Sequence, residues 1–130
     1  MDAMNETIEQ AQRRKTEHLR IALRDPSVQR PGRDNGLASL DLEMLSLPEL
    51  DLDAVDTRCR LLGKALNAPL LIGAMTGGTA HAGQVNRILA AAAERTGVGF
   101  CLGSQRPMLI GDPAATLSFQ LREVAPTTLI

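Results

Sequence analysis

The 130-residue chain has no tryptophan and no tyrosine, and only two phenylalanines. Base-stacking platforms for single-stranded nucleic acid are built from aromatic faces, so this composition offers little to build one from. An excess of charge is missing too: 14 Lys and Arg against 15 Asp and Glu leave a formal net charge of −1. Phosphate-backbone readers carry a basic footprint, and nucleic acid is therefore not an expected partner. Cysteine is scarce. Cys59 and Cys101 lie far apart and form no C-x-x-C pair, which excludes a zinc ribbon or a thioredoxin-type centre. Two isolated thiols suit a reducing compartment, so a cytoplasmic protein is expected. Long apolar runs are absent as well. The strongest, near Pro69 to Met75, falls far short of the ~20 residues that span a bilayer. Met1 to Arg20 is polar with mixed charge, unlike a signal peptide, and no membrane association is expected.

What is present reads as a globular α/β chain, with 44% hydrophobic and 22% charged residues, both near globular averages. Asn5 to Leu23 has no Gly or Pro and predicts a helix, stopped at Asp25-Pro26 because the residue before proline is pushed out of the helical region. Ser27 to Ser39 carries turn chemistry. Leu40 to Leu62 has poor periodicity and predicts short strands or irregular structure. Ala68 to Met75 is almost unbroken in its apolar character and predicts a strand covered on both faces. His81 to Arg95 places Val85, Ile88, Leu89 and Ala92 at helical spacing, with Gly97 as its stop. Val98 to Leu102 predicts a second short strand. Asp112-Pro113 reads as an N-cap followed by a first-turn proline, opening a helix that carries Leu117, Leu121 and Val124 and ends at Ala125-Pro126. Thr127 to Ile130 predicts the start of a third strand. The alternation argues for parallel βαβ units and leaves an open doubly wound sheet and a (β/α)-barrel both possible.

Two polar clusters fall where such strands hand over to helices, the end at which α/β proteins bind ligands. The first is Met75-Thr76-Gly77-Gly78, whose glycines let backbone N–H groups approach a ligand. The second is Gly103-Ser104-Gln105-Arg106, which combines a hydroxyl, an amide and a guanidinium fork suited to phosphate or carboxylate. A plain tight turn and a solvated loop would use the same residues, but their convergence on one rim favours a site. Arg14, Lys15 and His18 share a helix face. They could meet a diphosphate or simply form the solvated side of a polar helix. No Walker loop, dinucleotide fingerprint, calcium loop, nucleophilic triad or metal-ligand spacing is recognisable.

Taken in order, Arg14-Lys15-x-x-His18-Leu19, Leu45-Ser46-Leu47-Pro48-Glu49-Leu50, Ala74-Met75-Thr76-Gly77-Gly78, Asn86 and Gly103-Ser104-Gln105-Arg106 resemble type 2, FMN-dependent isopentenyl-diphosphate isomerases. The resemblance implies a (β/α)8 TIM barrel of which only the N-terminal extension (1–66) and the first βα units (67–130) are present. It also implies interconversion of isopentenyl and dimethylallyl diphosphate in isoprenoid biosynthesis, with reduced FMN as acid/base, NADPH as reductant and Mg2+. It assigns Ala74, Met75, Thr76, Gly77 and Ser104 to FMN, and Arg14, Lys15, Ser104, Gln105 and Arg106 to substrate. It assigns no residue of this chain as catalytic or as a metal ligand. A homo-oligomer, tetrameric or larger, is implied for the complete enzyme. A barrel takes ~250 residues and a partial one exposes strand edges. The chain by itself is therefore expected to be a fragment, unstable and inactive. Two rival readings are a truncated non-catalytic paralogue acting through a partner and an FMN-dependent 2-hydroxy acid oxidoreductase.

Overall fold

A computed structural model of the chain describes residues 7–24 and 36–130. Helix α1, Ile8–Arg24, comes first. Thr7 Oγ1 accepts from the Gln10 N–H at 3.2 Å, and Gln10 Oε1 accepts from the Thr7 N–H at 2.9 Å. This reciprocal pair satisfies two donors that a helix start otherwise leaves open. Ala11, Lys15 and Leu19 form the buried stripe, spaced at four residues as one helix face requires. The expected stop at Asp25-Pro26 and most of the expected loop lie outside the described residues.

From Gly36 to Arg58 every residue is exposed. This arm is irregular apart from single 3-10 turns at Leu37–Ser39 and Leu52–Ala54, in keeping with its poor periodicity. Strands β1, Cys59–Leu61, and β2, Lys64–Leu66, then form an antiparallel hairpin with Cys59 opposite Leu66. Its two-residue turn has Leu62 at φ 49° and Gly63 at φ 80°, the doubly left-handed backbone that matches strand twist.

The next segment is one right-sized βαβ unit. Strand β3, Leu71–Ile72, and strand β4, Gly99–Phe100, pair in parallel, with Leu71 opposite Gly99 and Ile72 opposite Phe100. Helix α2, Ala80–Thr96, connects them. Thr79 caps its start by accepting from the Ala82 N–H at 3.1 Å. Gly97, at φ 70°, ends it. There the Asn67 side chain donates to the Thr96 carbonyl at 3.0 Å and the Asn67 N–H donates to the Gly97 carbonyl at 2.8 Å. A Cβ on Gly97 would lie 2.2 Å from Asn67 Nδ2, so this position requires glycine for its space as well as for its φ. Helix α3, Arg106–Leu109, and helix α4, Pro113–Ser118, follow. Asp112 caps α4 as the sequence predicts, accepting from the Ala114 N–H at 2.9 Å, with Pro113 in the first turn.

Ala90, Ala93, Phe100, Leu121 and Ala125 make the core, with Ile72, Leu89, Val98, Leu102, Val124 and Ile130 packed against it. The residues that α2 buries fully form a small-residue stripe, Ala82, Gly83, Asn86, Ala90 and Ala93, while Val85, Leu89 and Ala92 of the stripe expected from periodicity are half-buried. Ile88, a member of that expected stripe, is 69% exposed. Small side chains let α2 approach β4 and α4 closely. Helix α4 also stops at Ser118, short of its expected end at Ala125-Pro126, and Phe119, just past it, lies where a Cβ on Gly77 would be, 2.1 Å from Phe119 Cε1.

The expected (β/α)8 barrel is corrected. Among the described residues the strands form two separate two-stranded sheets, and no barrel closes. The eight-residue strand predicted over Ala68 to Met75 shrinks to Leu71–Ile72, and it is not covered on both faces, since Leu70 and Leu71 are exposed. Thr127 to Ile130 forms no strand. It runs beside β4 through one ladder bond, from the Phe100 N–H to the Leu129 carbonyl at 2.8 Å. What fastens it is Glu94 of α2, whose carboxylate accepts from the Thr127 and Thr128 hydroxyls, both at 2.5 Å, and from their N–H groups at 3.1 and 2.8 Å. Those donors hold the Glu94 carboxyl down to about 2, because each stabilises the ionised form.

Candidate functional site

The rim is assembled from three segments. The turn after β3 supplies Thr76, Gly77 and Gly78, all buried. The turn after β4 supplies Gly103 to Arg106. The two are in van der Waals contact: a Cβ on Gly103 would stand 2.5 Å from the Thr76 carbonyl oxygen and 3.0 Å from its nitrogen. Glycine at 103 is what allows the turns to meet. The third segment is α1. Lys15, only 6% exposed, crosses to the second turn and donates from Nζ to the Ser104 carbonyl at 3.3 Å. Its aliphatic stem lies over Gly78, where an added Cβ would be 3.7 Å from Lys15 Cγ and 3.0 Å from Pro107 Cγ. A second fastening, from Gln12 Nε2 to Asp112 Oδ2 at 3.0 Å, ties α1 to the cap of α4.

Lysine is almost never this buried without a specific partner. The helix spends a buried cation at the place where the two turns touch. Arg14 is half-buried on the same helix, and His18 is exposed. Beyond Lys15, α1 and the start of α2 flank a groove of about 350 Å³ lined in part by Leu19, Arg20, Leu23, Arg24 and His81. In the second turn, Ser104 is exposed and its Oγ accepts from the Arg106 N–H at 3.4 Å. Gln105 is exposed and precedes α3, and Arg106 is half-buried with its Nε shielded from solvent. Ala74 and Met75 are exposed. The structure thus brings Thr76, Gly77, Gly78, Lys15 and Ser104 together, with Gln105 and Arg106 on the adjoining turn. Sequence reading misses Ser118, and it quotes Asn86 in the order of the resemblance without giving it a role in this arrangement. A polar residue on the otherwise small, apolar buried face of α2 was the signal for Asn86.

The glycine turn does not offer the open cradle that the flavin reading requires. The Gly78 N–H donates to Ser118 Oγ at 2.8 Å. The space beside Gly77 is filled by Phe119, and that beside Gly103 by the Thr76 backbone. These glycines serve contacts inside the protein. The assignment of FMN to Ala74, Met75, Thr76, Gly77 and Ser104 is withdrawn, and NADPH with it. As for Mg2+, no group of three His, Cys, Asp or Glu among the described residues could hold a metal ion.

No family model matches the chain. It is similar to proteins named isopentenyl-diphosphate delta-isomerase: 45% identical over 119 residues to that of Mycolicibacterium vanbaalenii, 47% over 117 residues to that of Deinococcus radiodurans, and 44% over 117 residues to that of Synechocystis. These alignments take in 92%, 90% and 90% of this chain and 34%, 34% and 33% of the relatives. The chain spans about a third of the length of the curated relatives it matches. Their names carry the isomerase activity and no flavin, so the narrower resemblance to the FMN-dependent type is corrected to a similarity to isopentenyl-diphosphate delta-isomerases.

Proposed function

We propose that this chain belongs to an enzyme that interconverts isopentenyl and dimethylallyl diphosphate in isoprenoid biosynthesis, and that its rim holds the diphosphate. The observation that carries the reading is Lys15: a buried ammonium, delivered by α1 to the junction of two turns that follow parallel strands. A diphosphate presents several anionic oxygens, and the ammonium would meet them as a point charge while the Arg106 and Arg14 forks meet them in pairs. Ser104 and Gln105, both exposed beside Lys15, would add neutral hydrogen bonds. On this reading residues 67–130 supply the rim and the preceding extension supplies Lys15 and Arg14.

The isomerisation moves a double bond by one position, adding a proton at one carbon and removing one from another. The rim residues bind and orient; they anchor the charged end so that the hydrocarbon end is held at a fixed distance. This anchoring converts an encounter into a positioned reaction. Magnesium, when required, is a ligand that diphosphates themselves recruit. A cytoplasmic location is supported by two free cysteines, and no helix is long and apolar enough to cross a membrane among the described residues. Assembly into a homo-oligomer is supported by the exposed Leu42, Met44, Leu47 and Leu52 of the arm.

The test is calorimetric titration with isopentenyl diphosphate and with inorganic diphosphate, beside proton NMR of the olefinic signals of the substrate. Saturable binding of both, with Lys15→Met weakening both alike, is expected. Binding of neither would sink the reading.

A further inference from the structure

Asn86 is 2% exposed on α2, in a stripe whose other members, Ala82, Ala90 and Ala93, are small and apolar. Its Nδ2 donates to the Thr76 carbonyl at 3.3 Å and to the Ser118 carbonyl at 3.2 Å. One amide therefore bridges the first rim turn and the last residue of α4. Ser118 answers from the other side. Its Oγ accepts from the Gly78 N–H at 2.8 Å and donates to the Ala115 carbonyl at 2.7 Å. Both ends of the Thr76–Gly78 turn are thus gripped from behind, one by its carbonyl and one by its amide. The gripped carbonyl is the same Thr76 oxygen against which Gly103 packs.

We infer that Asn86 is a positioning residue for the diphosphate rim: with Ser118 as its partner, it fixes the Thr76–Gly78 turn against the Gly103–Ser104 turn. The inference rests on the proposed function. Packing alone does not ask for an amide here, since its neighbours on the face are alanines. An apolar side chain at 86 would fill the space and leave two buried carbonyls without their donor, the costly half of a broken hydrogen bond. The turn would then relax away from Gly103. Lys15, whose stem lies over Gly78 and whose ammonium is on Ser104, would lose its place between the two. Asn86 touches no reacting atom. It acts through the spacing of the turns.

Two variants test this. Asn86→Asp is nearly isosteric, but a carboxyl group offers at most one proton to the two carbonyls that the amide serves together. Ser118→Ala releases the Gly78 amide and the Ala115 carbonyl and removes a single oxygen, so it reports even where Asn86→Asp fails to fold. Affinity for inorganic diphosphate is measured by calorimetry, and amide hydrogen exchange is read at Gly77 and Gly78 against Phe100 and Cys101 of the core. Each variant is expected to weaken diphosphate roughly tenfold, the scale of a lost buried hydrogen bond, and to speed exchange at Gly77 and Gly78 with Phe100 and Cys101 unchanged. Unchanged exchange at Gly78, or equal acceleration at Phe100 and Cys101, overturns the inference, the second because it marks a general structural role. If the parent chain binds no diphosphate, the proposed function fails by itself, and the exchange at Gly77 and Gly78 still decides whether Asn86 sets the turn.

Discussion

Replacing Gly103 by alanine adds one methyl group where the two rim turns touch. The methyl would be 2.5 Å from the Thr76 oxygen, 2.9 Å from its carbonyl carbon and 3.0 Å from its nitrogen. All three are backbone atoms, so no side chain can swing away, and the turns must separate by several tenths of an ångström. Overpacking of this kind costs about 1–3 kcal/mol. Backbone on the receiving side places Gly103→Ala in the upper half, at ~2 kcal/mol, or a fall in Tm of about 6–10 °C for a chain this size. Gly73→Ala is the control. A Cβ there meets nothing within 4 Å and its φ is not left-handed, so a change within about 0.5 kcal/mol is expected. With no tryptophan or tyrosine in the chain, urea unfolding is followed by far-ultraviolet circular dichroism. A Gly103→Ala midpoint equal to that of Gly73→Ala would refute the contact between the turns.

Lys15→Met keeps the stem over Gly78 and removes the ammonium from Ser104. Diphosphate affinity should fall about ten- to a hundredfold by calorimetry, the range of a charge-assisted hydrogen bond. Asp112→Ala removes both the cap of α4 and the acceptor of Gln12, and should lower stability by about 2 kcal/mol in urea titrations. Asn67→Ala takes the donor from the end of α2 and should cost about 1 kcal/mol by the same measurement. Glu94 gives a pH signature. Its folded value, about 2, lies below the ordinary 4.5, so the folded chain binds fewer protons there. The stabilisation is complete above pH 4.5 and is lost as the pH falls toward 2. The protection factors of the Thr127 and Thr128 amides, corrected for intrinsic exchange, should fall across that window, and Glu94→Gln should flatten the dependence.

Local chemistry was readable where it is written in single residues. Asp112-Pro113 opened α4 and Gly97 closed α2, because caps depend on side chains within a few positions. The parallel pairing of β3 with β4 followed from the alternation of elements. The buried face of α2 did not. Periodicity weights large aliphatics such as Ile88, whereas close approach to β4 and α4 selects Ala82, Ala90 and Ala93, whose value appears only once the neighbours are in place. In sequence, the glycines of the first turn look like donors for a ligand. The structure commits the Gly78 N–H to Ser118, forty residues on, and no local pattern announces such a pairing. Lys15 stands out in the sequence, but neither its burial nor its hold on Ser104 follows from a helix face that looks solvated.

The arm from Gly36 to Thr57 interleaves Leu40, Leu42, Met44, Leu47, Leu50 and Leu52 with Asp41, Glu43, Glu49, Asp51, Asp53 and Asp56, and has no Lys, Arg or His. Apolar and polar residues alternating in this way along an exposed edge invite cross-strand stacking between molecules. The carboxylates act as gatekeepers, since two such arms brought together oppose like charges along their length. Asp56 is held down to about 2 by the Arg58 guanidinium beside it. Salt weakens the mutual repulsion by screening while leaving the leucines in place. Turbidity should therefore rise as salt is added at neutral pH.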